Sequence, residues 1–174
     1  VLKLTAEKFG WKADAIVGRD RGRGQGIAFS RYKNLAGYCA VAVEVAVDRD
    51  TGRVNLVRAV SAADSGTAVN PDGIKNQIAG GIIQAASWTL NESVDFDRTR
   101  ILSRDWSRYP ILRFPDMFES LEVHVIDRPG QPFLGTGEAS PRVQTITRGT
   151  ARRGDTYSSL LRALGPTEAA FRWP

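Results

Sequence analysis

The chain has 174 residues, 42% of them hydrophobic and 25% charged, with a formal net charge of +5. That apolar content suits one globular core, and no apolar run reaches the ~18 residues of a membrane helix. One cysteine, Cys39, and one histidine, His124, exclude an internal disulfide and an iron–sulfur cluster held by these residues alone, and make a metal site on His124 a weak reading.

The sequence opens on Val, with no Met and no signal peptide, so a fragment of something longer is expected. Residues 2–10 read as a short helix stopped by Gly10, in the place of a C-cap glycine. Residues 14–26 read as a linking loop. Within it, G-R-D-R-G-R-G-Q-G (18–26) has the look of an arginine–glycine RNA-binding tract, but it is short, unrepeated and without interleaved aromatics. Two strands follow, over 27–32 and 37–47. The second, G-Y-C-A-V-A-V-E-V-A-V, reads as buried on both faces. Cys39 is then a buried structural thiol. Glu44 is the exception in that strand, and a carboxylate there needs a partner, most simply an arginine. Residues 48–52 form a turn closed by Gly52, and a third strand covers 53–63.

The stretch 61–92 organises the chain. Asn70-Pro71 is a helix start: Asn caps, and Pro is tolerated at the first helical position. Ile74, Ile78, Ile82 and Ala85 then recur at helical spacing. Gly80 and Gly81 interrupt this pattern, each costing about 1 kcal/mol relative to Ala. Gln77 and Gln84, seven apart, share their face. Such a face makes a good ligand wall, because bare backbone admits close approach. A helix packed tightly on a sheet, with glutamines at its rim, accounts for the same residues. The small-residue junction 64–70 puts backbone N–H groups near a helix N-terminus, where an anion such as phosphate is held well, although no P-loop or dinucleotide fingerprint is present.

Beyond the helix, 93–96 reads as a short edge strand. Residues 104–115, rich in aromatics and arginines and broken by two prolines, read as an extended segment lying over the body. A further strand over 121–126 places His124 on its face. After a turn at 127–130, P-F-L-G-T-G-E-A-S brings alternate glycines up to one carboxylate. Glu138 there is a candidate general base if its surroundings tune it; a solvated loop glutamate is the alternative.

G-R-G-Q-G-I-A-F, Y-C-A-V-A-V-E-V-A-V-D, A-D-S-G-T-A-V-N-P-D, Q-I-A-G-G-I-I-Q-A-A-S-W-T-L, Y-P-I-L-R-F and G-T-G-E-A-S follow one another in this order. Together they resemble the C-terminal part of the molybdopterin-binding large subunit of the xanthine dehydrogenase/aldehyde oxidase family, above all its isoquinoline 1-oxidoreductase and nicotinate dehydrogenase type. The likeness runs over residues 22–140. It implies a molybdenum ion bound by molybdopterin in its cytosine dinucleotide form, and oxidation of an aldehyde or N-heteroaromatic carbon with water as oxygen source. Glu138 would be the catalytic base. Gln77 would line the pterin site, Gly80 and Gly81 would give the cofactor clearance, and Gly137 would stand beside it.

The same resemblance implies an α+β fold: a mixed sheet of about four or five strands with a long helix, about 71–92, on one face. It divides the chain into an N-terminal helix and linker (1–25), a molybdopterin-binding domain (26–140) and a divergent tail (141–174). The implied partners are the remainder of the large subunit, a small [2Fe-2S] subunit, a cytochrome c and a small-molecule substrate. No nucleic acid and no membrane segment are expected. The expected compartment is the cytoplasm, with the periplasm as alternative. Two departures stand out. The family subunit is much longer, so the isolated chain should carry no cofactor and be inactive. The tail also lacks the Q-G-P turn and small-residue helix that buttress the glutamate in the family, which points to a shifted reading frame or a divergent gene end. A non-catalytic remnant of the large chain and a basic RNA-binding module are the alternative functions.

Overall fold

The computed structural model describes residues 1–11, 22–32 and 37–136. The chain divides into two compact units, Val1–Gln144 and Thr145–Pro174, and the described residues all belong to the first. Gly137, Glu138 and the tail 141–174, with the expectations attached to them, lie outside the described residues, as do residues 12–21.

The elements are helix α1 (Leu2–Phe9), strands β1 (Arg23–Tyr32), β2 (Gly37–Val47) and β3 (Val54–Asp64), helix α2 (Pro71–Leu90) and strand β4 (Ser120–Ile126). The strands form one mixed sheet in the order β1-β2-β3-β4. The first two pairings are antiparallel and β3–β4 is parallel, because the α2 crossover returns the chain in the same direction. This is the α+β architecture that the sequence implies, with α2 on one face. The strand expected from residue 27 begins four residues earlier, at Arg23. The strand expected over 93–96 is a single bridge, Phe96 to Ile101. Asp97 ends it by accepting from the N–H groups of Thr99 and Arg100, which turns the chain.

The alternating strand positions build two cores. Cys39, Val41, Ala59 and Ala63 meet Ile78 and Ile82 of α2, with Leu121 and Val123 of β4 at the margin. On the opposite face Ala42 and Val60 meet Phe9 of α1. Cover on both faces explains why β2 is apolar at nearly every position. Alanines at 40, 42, 59, 62 and 63, all fully or almost fully buried, leave room for both helices. Cys39 packs as a small hydrophobe, its Sγ 3.5 Å from Ser61 Oγ, and burial pushes its thiol up to about 11.

Glu44 has the arginine it needs. Arg23 of β1 donates to its Oε1 at 2.8 Å, and Gln25 Nε2 reaches Oε2. Four residues of the arginine–glycine tract, 23–26, are therefore strand β1, with Arg23 committed to a neighbouring carboxylate. Arg58 of β3 donates to the carbonyls of Lys8 and Phe9 and lies over the Phe9 ring. It binds the C-terminal end of α1, where free carbonyls and the helix dipole favour a cation. Gly10 then ends α1 in the left-handed conformation, at φ 72°.

Candidate cofactor-binding site

Helix α2 starts where Asn70-Pro71 predicts. The Asn70 side chain accepts from the Gly73 N–H at 3.0 Å, and Pro71 occupies the first turn. The helix presents two different faces. Ile78, Gly81, Ile82, Ala85 and Ala86 are buried on the side that packs on the sheet, whereas Ser87 is buried by the segment after the helix, through Glu92 and the Leu112 N–H. Gln77, Gly80, Gln84 and Trp88 are exposed, at spacings of three and four that align them in one stripe.

The two glycines thus part company. Gly81 belongs to the inner face, where a missing side chain allows close packing. Gly80 belongs to the outer face, and a Cβ built there would meet nothing within 4 Å. The stripe is two amide side chains, roughly 10 Å apart along the helix, with bare backbone between them. Each amide carries a donor and an acceptor. These residues fit a flat, hydrogen-bonding heterocycle such as a pterin, for which Gln77 and Gln84 offer polar contacts and Gly80 offers clearance.

The junction between β3 and α2 is not a free anion site, contrary to expectation. The Gly66 N–H goes to Asp64 Oδ1 at 3.0 Å, and the Ala68 N–H goes to Asp127 Oδ1 at 2.8 Å. Both donors are consumed by carboxylates of the chain itself, so an incoming phosphate would meet negative charge.

Those same carboxylates reveal a contact that sequence reasoning missed. The loop after β4, which leads toward residues 137 and 138, is fastened to this junction. Arg128 Nε donates to Asp64 Oδ1 at 2.9 Å, and the Arg128 N–H donates to the Gly66 carbonyl at 3.1 Å. Thr67 Oγ1 donates to the Arg128 and Gln131 carbonyls, and the Leu134 N–H reaches the Ser65 carbonyl at 2.9 Å. Gly66, at φ 84°, lies so close that a Cβ would fall 1.8 Å from the Pro132 carbonyl oxygen. A-D-S-G reads as part of a strand-to-helix junction and D-R-P-G as a turn, but nothing in either word announces that they meet.

His124 stands on β4 with Nε2 buried and 3.7 Å from Glu122 Oε2, beyond hydrogen-bond reach. It lines a shallow cleft of about 400 Å³ with Leu4, Pro71, Lys75 and Asp127, at the edge of the sheet. No group of three or more potential metal ligands occurs among the described residues. The described residues contain no helix long and apolar enough to cross a membrane.

The sequence model of the molybdopterin cofactor-binding domain family matches residues 2–118. The chain belongs to this family. A nicotinate dehydrogenase subunit of Pseudomonas putida is 35% identical over 151 residues, covering 80% of this chain and 13% of the relative. The beta subunit of isoquinoline 1-oxidoreductase from Brevundimonas diminuta is 32% identical over 127 residues, covering 72% of this chain and 15% of the relative. Among solved structures, quinoline 2-oxidoreductase from Pseudomonas putida 86 superposes with a TM-score of 0.56 at 26% identity, over 60% of this chain and 14% of that one. The chain therefore spans about one seventh of the length of these relatives. The molybdopterin-binding match takes in α1, the whole of α2 and its outer stripe.

Proposed function

We propose that these residues form part of the cofactor wall in the large subunit of a molybdenum hydroxylase, which oxidises an aldehyde or N-heteroaromatic carbon and passes the electrons to a [2Fe-2S] subunit. The observation that carries this reading is the open stripe of Gln77, Gly80 and Gln84 on a helix inside the family's molybdopterin-binding match. Relatives named for nicotinate and isoquinoline favour the N-heteroaromatic class.

When bound, the molybdenum–pterin group supplies a two-electron acceptor and activates a water oxygen for transfer. Gln77 orients the heterocycle through its side-chain amide, with Gln84 as a second hydrogen-bonding group on the same face. Gly80 keeps the helix backbone bare beneath it, and Gly81 lets the inner face of α2 pack closely. Glu138 accepts the proton that the water oxygen gives up as it bonds to the substrate carbon. The Asp64–Arg128 link fixes the root of that loop against the start of α2.

The test is metal and nucleotide analysis of the full polypeptide purified with its partner subunits. Stoichiometric molybdenum, together with cytidine monophosphate released by acid, is the expected result and establishes the cytosine dinucleotide form. Molybdenum without the nucleotide keeps the function and removes that form. A complex free of molybdenum makes the chain a non-catalytic remnant.

A further inference from the structure

The excursion over residues 92–116, between α2 and β4, combines two features. It is well ordered by polar bonds, yet it turns its largest apolar side chains outward. Asp105 accepts from the N–H groups of Ser107 and Arg108. The Leu102 N–H donates to the Asp95 carbonyl at 2.7 Å, and the Asp95 N–H donates to Ser103 Oγ at 2.9 Å. Tyr109 Oη donates to Glu92 at 2.8 Å, and the Leu112 N–H donates to the buried Ser87 hydroxyl at 2.9 Å. Arg53 pairs with Asp116 at the far end. Against this frame Phe96 is 75% exposed, Trp106 70% and Phe114 87%. The segment expected to lie over the body thus does so through its polar groups and shows its aromatics to the outside.

Its composition is that of an interface centre. Aromatics and arginines are enriched in such centres and lysine is depleted. The excursion holds Phe96, Trp106, Tyr109 and Phe114, five arginines (98, 100, 104, 108 and 113) and no lysine. Arg98, Arg104 and Arg113 make no ion pair with the described residues. Pre-ordering by local hydrogen bonds lowers the entropy that docking would otherwise cost.

We infer that Phe96, Trp106 and Phe114 dock into another part of the same polypeptide, against apolar pockets rimmed by carboxylates that face Arg98, Arg104 and Arg113. The occupant follows from length and continuity. The family match runs through the excursion to residue 118, and in the relatives the matched residues make up only 13–15% of a single chain. Most of the polypeptide available to cover this surface is therefore chain of the same subunit. The inference rests on the reading of these residues as part of a larger subunit, but not on cofactor binding.

Hydroxyl-radical footprinting of the cofactor-free full polypeptide, with and without its partner subunit, tests it. A peptide of residues 92–116 serves as the exposed standard. Phe96, Trp106 and Phe114 should oxidise several-fold more slowly in the polypeptide alone than in the peptide. Protection that arises only when the partner subunit is added, or only as concentration rises, overturns the inference in favour of a second protein or a second copy. Full reactivity in every state also overturns it. The double change Trp106→Asp, Phe114→Asp should lower the Tm of the polypeptide alone; an unchanged Tm would mean that the surface is not packed. Both readouts use apo-protein, so the absence of molybdenum would leave them intact.

Discussion

Asp64 and Arg128, 64 residues apart in sequence, join at 2.9 Å the end of β3 to the loop that follows β4. Asp64 is only 15% exposed and also accepts from the Gly66 N–H, so its carboxylate sets the shape of the β3–α2 turn and the position of the second loop together. Arg128→Ala should cost about 1 kcal/mol, discounted because the arginine is partly exposed. The specific readout is amide exchange: the Leu134 N–H, bonded to Ser65, should exchange faster, while the Gly73 N–H under Asn70 stays protected. Equal acceleration at both would mean general destabilisation and no local fastening.

Gly66→Ala is the harsher change at the same place. The new Cβ would fall 1.8 Å from the Pro132 carbonyl oxygen, at a φ of 84° that L side chains rarely adopt. Steric overlap and backbone strain add to at least about 3 kcal/mol. The urea midpoint of the polypeptide should fall accordingly. Gly130→Ala is the control, with a similar φ of 82° and nothing within 4 Å of the added carbon, so it should cost about 1 kcal/mol.

Cys39 makes stability depend on alkaline pH. Burial raises its thiol from 9.0 to about 11, while the hydrogen bond to Ser61 pulls the other way. The unfolded chain releases the proton near pH 9.0 and the folded chain holds it to about 11. The thiol's contribution is therefore whole below pH 9.0 and is lost as pH rises from there to about 11. The loss amounts to about 3 kcal/mol. Cys39→Ala should flatten this part of the stability curve relative to the parent, measured by denaturant titration at each pH. Iodoacetamide should label Cys39 only after unfolding.

How much of this was legible beforehand depends on the range of the interaction. The start of α2 was legible because Asn70 and Pro71 act within one turn. The partner of Glu44 was legible as a type of residue, because a carboxylate in a strand covered on both faces needs a cation, and β1 supplies Arg23. The short strand at 93–96 misled because V-D-F-D alternates as a strand does, while Asp97 captures the N–H groups of Thr99 and Arg100 and bends the chain away. Adjacent glycines are about 100° apart around a helix, and Gly81, three after Ile78 and four before Ala85, falls on the apolar face; assigning both glycines to the face of Gln77 and Gln84 overlooked a distinction that the spacing already held. The Asp64–Arg128 link was out of reach because no local pattern encodes a contact across 64 residues.

Glu138 carries the chemical prediction. In the assembled, cofactor-loaded complex, Glu138→Gln should lower kcat by about 10²–10⁴-fold, the usual contribution of a general base. KM should change far less, because the amide nearly matches the carboxylate in shape and lacks only the proton-accepting charge. The acidic limb of the pH–rate profile, which reports ionisation of the base, should disappear. An unchanged kcat would make Glu138 an ordinary loop residue and leave the family assignment standing.

The two helix glycines give the sharpest test of the cofactor wall. Gly80 is on the outer face, and the Cβ that Gly80→Leu adds there meets nothing within 4 Å. It also removes a glycine from a helix interior, which favours the fold by up to about 1 kcal/mol. In the full polypeptide the new side chain would stand between Gln77 and Gln84, where the heterocycle is proposed to lie. Molybdenum content should fall while the Tm stays level or rises. Gly81→Leu acts in the opposite sense, because Gly81 is buried with Ile78 and Ile82 and the added side chain overpacks the inner face. Its cost should be about 1–3 kcal/mol, with any loss of molybdenum following the loss of fold. If Gly80→Leu keeps a full complement of molybdenum, the outer stripe is plain solvent-facing surface and the wall must be sought on another element.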